Sequence, residues 1–260
     1  MRKVPTITVF FWIVKILTTA LGESTSDYLV YSINPYVAVL LGAVGLAVAL
    51  TLQFWVRKYN AWIYWLTVTM VAIFGTMAAD VIHIVLGVPY VYSTIFLVIS
   101  LGIIFALWWA VERTLSIHSI TTLRRELFYW ATVMATFALG TAAGDMTAIT
   151  LNLGYLASGV LFAVLIVFIT AAHYAVKGIL DFEHRHVTRN AVLAFWLAYI
   201  FTRPFGASFA DWTGKAQSVG GLGWGDGVVA LILTTLIVLF VGYLAYSRID
   251  VEEKHPIPKY

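Results

Sequence analysis

The sequence predicts an all-α polytopic membrane protein: eight transmembrane helices, built as four parallel two-helix repeats with both termini cytoplasmic. Three observations carry that expectation. Hydrophobic residues fill 61% and charged residues 11% of the 260 positions, against about half and about a quarter in a soluble domain. Eight apolar stretches are each long enough to cross ~30 Å of hydrocarbon at 1.5 Å per residue. One motif recurs four times at intervals that fit helix pairs.

The apolar stretches fall near 8–30, 36–56, 61–85, 90–111, 127–149, 153–176, 190–212 and 227–247. Arg2 and Lys3 ahead of the first stretch imitate a secretory leader. Lys15 interrupts its apolar run, however, and the repeat makes it one of four equivalent helices, so it reads as a retained span. Thirteen of the 16 basic residues lie at the N-terminus, after even-numbered helices or at the C-terminus, and only Lys215 lies in an opposite loop. That asymmetry places both termini in the cytoplasm. It also accounts for the net charge of +3 without a nucleic-acid partner.

The repeat is anchored on Trp12, Trp65, Trp130 and Trp196, each preceded by an aromatic residue: Phe11, Tyr64, Tyr129 and Phe195. Ten positions after each Trp stands Gly22, Gly75, Gly140 or Gly206, and fifteen positions after stands Asp27, Asp80, Asp145 or Asp211. Chance gives roughly 0.02 such coincidences in a chain of this composition, so four mean internal duplication. The repeats span about 8–58, 61–115, 126–180 and 190–248 of a single membrane domain, 1–260. Each holds two helices, so successive repeats enter the membrane in the same direction. The odd helices are then equivalent, with Trp at the cytoplasmic interface and Asp about 22 Å further along. The glycines allow close helix packing.

Residues four apart share a helix face, so the chemistry beside each Asp is legible. Glu23, Thr76 and Thr141 sit one turn before Asp27, Asp80 and Asp145, and Lys15 and Arg203 lie deeper in the first and last odd helices. Charged groups in hydrocarbon cost roughly 2.5–3.5 kcal/mol each and usually face a bundle interior. Five carboxylates against two cations leave −3 in the odd helices, which points to proton or cation traffic. Lys15 and Arg203 are charge-balancing groups that must find partners on other helices. His83, three positions after Asp80, is either an additional nitrogen ligand or a hydrogen-bonded interfacial residue. Hard oxygen ligands with at most one imidazole suit Mg, Ca or Mn, with manganese favoured.

Other chemistries are poorly supported. The chain has no cysteine, which excludes disulfides, thiolate metal sites and thiol nucleophiles. It also lacks a Gly-x-Ser-x-Gly elbow. GGLGWGDG at 220–227 follows no strand and holds no lysine, so it fails as a phosphate loop and reads as a flexible turn. His118, His173, His184, His186 and His255 show no ligand spacing, and the ten Trp residues read mostly as interfacial anchors.

The strings FFWIVKILTTALGESTSDYL, ERTLSIHSITTLRRELFYW, FALGTAAGD and NAVLAFWLAYIFTRPFGASFADW resemble a bacterial inner-membrane family catalogued as uncharacterised membrane-anchored proteins. The resemblance implies a multi-pass protein of the bacterial cytoplasmic membrane and supplies no reaction. From the residues, the expected function is transport of a small cation, foremost a divalent metal such as manganese, with proton-coupled export as one form. The site would be Asp27, Asp80, Asp145 and Asp211, helped by Glu23, Thr76, Thr141 and His83. A cation channel or organic-cation transporter using the same acidic vestibule is the alternative, and a non-transporting scaffold or sensor is the alternative from another class. No enzymatic activity is expected, and no cofactor beyond a bound divalent metal ion. The expected partners are lipid and the cation, with homo-oligomers left open.

Overall fold

The computed structural model describes residues 2–179 and 184–251, and every regular element among them is helical. The long helices are α1 (Val9–Ser32), α2 (Pro35–Trp55), α3 (Ala61–Asp80), α4 (Tyr90–Glu112), α5 (Leu123–Asp145), α6 (Gly154–Ile179), α7 (His184–Gly214) and α8 (Asp226–Ser247). Each matches one apolar stretch of the sequence. Polar caps mark several starts: Thr8, Asn60 and Thr122 accept from backbone N–H groups of α1, α3 and α5, and Asn34 with Pro35 opens α2. Among the described residues, seven helices are long and apolar enough to cross a membrane. The helix outside that set, α1, carries Lys15, Glu23 and Asp27. Among the basic residues that suggested orientation, the Lys177, Arg185 and Arg189 side chains, together with Lys254 and Lys259, lie outside the described residues.

Helices α1, α3, α5 and α7 form an inner ring, each packed on its two neighbours, and α7 closes against α1. The even helices lie outside. Each packs chiefly on the odd helix that follows it: α2 on α3, α4 on α5, α6 on α7 and α8 on α1. Large apolar side chains on their outer faces, such as Leu40, Val48, Phe96, Phe168 and Leu239, are exposed, as lipid contact requires. The result is a multi-pass membrane protein with a polar interior.

Two kinds of contact repeat around the ring. A Cβ on Gly22 would lie 2.5 Å from the Ala72 Cβ, and one on Gly75 would lie 2.8 Å from the Phe137 Cβ. Gly140 meets Arg203 and Gly206 meets Thr19 in the same way. In every case the glycine touches the residue three positions before the next repeat's glycine. The aromatic rings obey the same rotation: Phe11 packs on Trp65, Tyr64 on Trp130, Tyr129 on Trp196 and Phe195 on Trp12, with centroids 5.6 to 6.3 Å apart. Four such relations, the last returning to the first, give the bundle pseudo-fourfold symmetry.

This arrangement changes the reading of the repeated tryptophans. Trp65, Trp130 and Trp196 are buried and Trp12 is half-buried, so these rings face the neighbouring repeat rather than lipid. An indole packed on an aromatic neighbour is worth about 0.5–1.5 kcal/mol beyond its burial. Outward-facing tryptophans do exist at helix ends, at Trp55, Trp62 and Trp109, and these suit the anchoring role.

The Gly-rich stretch is likewise an organised element. Leu222, Trp224, Gly225 and Gly223 donate their N–H groups to the carbonyls of Trp212, Thr213, Gly214 and Lys215, at 2.6 to 3.1 Å. The loop thereby satisfies the carbonyls at the end of α7 that a helix leaves without partners. Gly220, Gly223 and Gly225 have φ of 90°, 81° and 85°, a region glycine enters without steric cost.

At the Trp end, the segment before α1 runs across the bundle. Tyr59 N–H donates to the Arg2 carbonyl, Lys3 N–H to Ile120 and Thr6 N–H to Asp250. Lys3 Nζ reaches Glu126 at 2.6 Å, and Glu126 also accepts from Gln53 at 2.9 Å. The α2–α3 and α4–α5 connections and the segment after α8 are thereby tied together.

Substituting Gly22→Ala places a methyl against Ala72 between two backbones, and overpacking of this kind costs about 1–3 kcal/mol. Gly102 on α4 has nothing within 4 Å of its Cβ direction, so Gly102→Ala is expected to change stability by less than about 0.5 kcal/mol. Thermal unfolding of both variants in one detergent checks the contrast.

Candidate functional site

The inner ring stacks side chains in layers along its axis, one turn apart. Nearest the Trp end, Phe11, Tyr64, Tyr129 and Phe195 fill the centre, and the Tyr64 and Tyr129 hydroxyls share a hydrogen bond of 2.5 Å. The next layer holds Lys15, Val68, Val133 and Tyr199, none more than 1% exposed. Lys15 Nζ donates to Thr202 Oγ1 at 3.3 Å and lies over the rings of Tyr199 and Phe137, at 4.1 and 4.6 Å. Its partners are on other helices, as expected, but they are a hydroxyl and two ring faces and not a carboxylate.

Above it, Arg203 occupies the position equivalent to Thr19, Ala72 and Phe137 and is fully buried. Its guanidinium donates to Glu23 Oε2 at 2.9 Å, to Thr141 Oγ1 at 2.7 Å, to the Thr76 hydroxyl and, at 2.8 Å, to the Thr19 carbonyl. Thr76 and Thr141 also donate to Glu23. One arginine thus gathers the polar residues of three repeats, while Ala207 stands at the fourth position of their layer. The pair is charge-assisted and hydrogen-bonded on most sides, the condition under which a buried ion pair is tolerated. From the aromatic layer to this one, the axis is closed by packed side chains.

The Asp layer is different. Asp27, Asp80 and Asp145 are half-buried and Asp211 is buried, so the ring opens towards the Asp end. Glu23, Asp27 and Asp211 each bring one carboxylate oxygen within 4.8 Å of the other two, a spacing compatible with oxygen ligands about 2.3–2.6 Å from one cation. Asp80 and Asp145 stand across the ring with no hydrogen-bond or ion-pair partner among the described residues. The structure therefore gathers two of the four repeated aspartates with Glu23 and holds the other two apart. Immediately after Asp80 and Asp145, α3 and α5 widen into π-helical turns over Val81–Val85 and Met146–Thr150. These are closed by Leu86 N–H to Val81 O and Leu151 N–H to Met146 O. Such turns are rare and frequent at functional sites.

His83 lies within the first π turn and does not face the acidic group. Its Nδ1 is 3.0 Å from the Val88 carbonyl, its Nε2 is 3.3 Å from Ser93 Oγ, and its ring packs on Tyr90 at 4.0 Å. The geometry matches the hydrogen-bonded alternative weighed for this residue and leaves an all-oxygen donor set.

Lys215 is the residue of the acidic mouth that sequence reasoning passed over. Its Nζ bonds the Asp27 carboxylate, lies 3.8 Å from Asp211 Oδ1 and sits 5.3 Å from the Tyr31 ring centre. Burial disfavours the ammonium, yet Asp27, Asp211 and Asp226 outweigh it and raise the group above the ordinary lysine value, so it stays charged at neutral pH. Its position four residues after Asp211, as the one basic residue of the opposite loops, was the signal. Adding Lys215 and Asp226 to the count leaves the formal excess at −3, with one positive charge now inside the mouth.

A pseudo-fourfold helical membrane bundle with an acidic mouth is the class that this fold and site define. The chain belongs to the family described as Repeat of Unknown Function (DUF347), whose model matches four times, at residues 10–59, 63–114, 128–178 and 194–250. Comparison with curated proteins and with solved structures gave no match.

Glu23→Ala strands the Arg203 guanidinium among neutral groups, and removing one partner of a buried pair costs about 3–5 kcal/mol. The double variant Glu23→Met with Arg203→Met should recover most of that loss. Denaturant unfolding followed by tryptophan fluorescence measures both.

Proposed function

We propose that the protein moves a small cation across the membrane, with α1 as an eighth span and both termini cytoplasmic in a bacterial inner membrane. One observation carries the reading: a mouth with a formal excess of negative charge, where Asp80 and Asp145 have no hydrogen-bond or ion-pair partner among the described residues and the oxygens of Glu23, Asp27 and Asp211 converge. Carboxylates held in an apolar bundle without compensation are expensive. A cation or a proton arriving from solution supplies the missing compensation.

The donor set is oxygen only, which suits a hard divalent ion such as Mn²⁺, Mg²⁺ or Ca²⁺. Manganese remains the first candidate, and protonatable carboxylates suit proton coupling, with export as one form of it. In this conformation the axis below the mouth is sealed by the Arg203–Glu23 layer and the aromatic layer. A closed core with a one-sided mouth supports alternating access over a continuously open channel. A second reading has its own observation: Lys215 places an ammonium between two carboxylates and the Tyr31 ring, an environment equally suited to an organic ammonium ion.

Proteoliposomes loaded with a metal-sensitive dye and offered Mn²⁺, Mg²⁺, Ca²⁺ or Zn²⁺ separately test the proposal. Saturable flux of one hard ion, reduced at least tenfold in Asp145→Asn, is the expected result. Flux unaffected by Asn at each of positions 27, 80, 145 and 211 in turn removes the site assignment. Saturable uptake of a quaternary amine without metal flux transfers the assignment to the second reading.

A further inference from the structure

Lys215 sits where a transported cation would sit, and the rest of its loop is arranged to keep it there. The side chain is 19% exposed and reaches inward to Asp27 on α1 and Asp211 on α7, the carboxylates of the first and last repeats. Its backbone is fixed by the loop that follows. Gly223 donates to the Lys215 carbonyl at 2.8 Å, and Lys215 N–H donates to Asp211 O at 2.9 Å. A Cβ on Gly221 would collide with the same carbonyl, and the glycines at positive φ let residues 220–225 fold back tightly over the end of α7. Four successive carbonyls, those of Trp212, Thr213 and Gly214 at the end of α7 and of Lys215 just after it, are capped in this way. The lysine is therefore presented from a rigid platform and not from a loose rim.

Among the described residues, no such cation stands on the other half of the mouth. Asp80 and Asp145 are half-buried, and each is followed by a π turn. Charge is thus partly offset on the α1–α7 side, by one ammonium between two carboxylates, and left without a cation among the described residues on the α3–α5 side, although the four aspartates occupy equivalent places in the repeat.

We propose that Lys215 is a tethered ammonium that holds the cation site in this state, and that a transported cation enters by way of Asp80 and Asp145 and displaces it from Asp27 and Asp211. The proposal rests on the cation-transport reading and adds the group that sets affinity and selectivity at that site. A tethered group competes at an effective concentration fixed by its tether, which for short connections lies in the millimolar range or above. Removing the ammonium should therefore tighten cation binding, whereas loss of a purely structural lysine would weaken it.

The test is equilibrium binding of Mn²⁺, with Mg²⁺ and Ca²⁺ in parallel, to the full chain in lipid nanodiscs. Wild type, Lys215→Gln, Lys215→Arg and Asp27→Asn are compared. The expected result is a half-saturating concentration about tenfold lower in Lys215→Gln and close to wild type in Lys215→Arg. Methylammonium, standing in for the lost side chain, should compete in Lys215→Gln and not in wild type. If Lys215→Gln binds no more tightly than wild type while Asp27→Asn loses binding, the inference is overturned and the transport reading stands. Absence of saturable binding to wild type and Lys215→Gln alike overturns both. Should Lys215→Gln fail to fold, Gly223→Ala strains the cap that holds the lysine and leaves the carboxylates in place. Tighter binding is expected there too, and unchanged binding counts against the proposal.

Discussion

Four odd helices meet closely enough to form a ring only where a repeat glycine removes the Cβ that would otherwise strike the next helix. In lipid, helices gain little from hydrophobic association with one another, so close backbone approach and interhelical hydrogen bonds must hold them. The glycines supply the approach. Because each contacts the same position of the following repeat, the contact propagates from α1 to α3, α5 and α7 and returns to α1. The paired aromatic contacts near the Trp end follow the same rotation. The even helices then need only cover the ring with apolar surface.

A closed ring of this kind has an axis, and the axis fixes what polar groups can do. Deep in the bundle, water is excluded and a charge must be paired or fully hydrogen-bonded. Arg203 meets that demand with Glu23, Thr76, Thr141 and the Thr19 carbonyl. Lys15 meets it with Thr202 and two aromatic faces. At the Asp end the ring opens, and equivalent carboxylates acquire different surroundings. Asp27 and Asp211 share Lys215, whereas Asp80 and Asp145 stand half-buried across the ring on helices that widen at the next residue. The repeats carry the symmetry, and Lys15, Glu23, Arg203 and Lys215, which differ from the residues at the equivalent positions of the other repeats, break it into a plug and a mouth.

Much of this was legible from spacing. The eight helices, the equivalence of the odd set and the convergence of Glu23, Thr76 and Thr141 follow from hydropathy and from the four-residue face of a helix. Partner choice did not follow. That Arg203 would pair with Glu23 depends on which odd helices adjoin, and a parallel repeat alone does not say that its ends meet. The tryptophans were misread because amphipathic rings near a helix start commonly face an interface, whereas here a neighbouring repeat offers an aromatic surface. His83 turned aside because a π turn rotates the residues that follow Asp80 away from an α-helical register. The Gly-rich loop looked flexible because its hydrogen bonds run to carbonyls of α7, which composition does not reveal, and Lys215 was overlooked with it.

The proposed function requires the acidic group to be a site reached from solution on one side of the sealed layer, where a structural cluster would be closed to solution from both sides. Since the chain has no native cysteine, single cysteines at positions 76, 80, 141 and 145 can be probed with a membrane-impermeant maleimide in sealed vesicles of known orientation. The account predicts that positions 80 and 145 react from one side only and that positions 76 and 141, under the Arg203 guanidinium, stay unreactive from either side. Equal reactivity at all four positions, or none at 80 and 145 in folded protein, would contradict it.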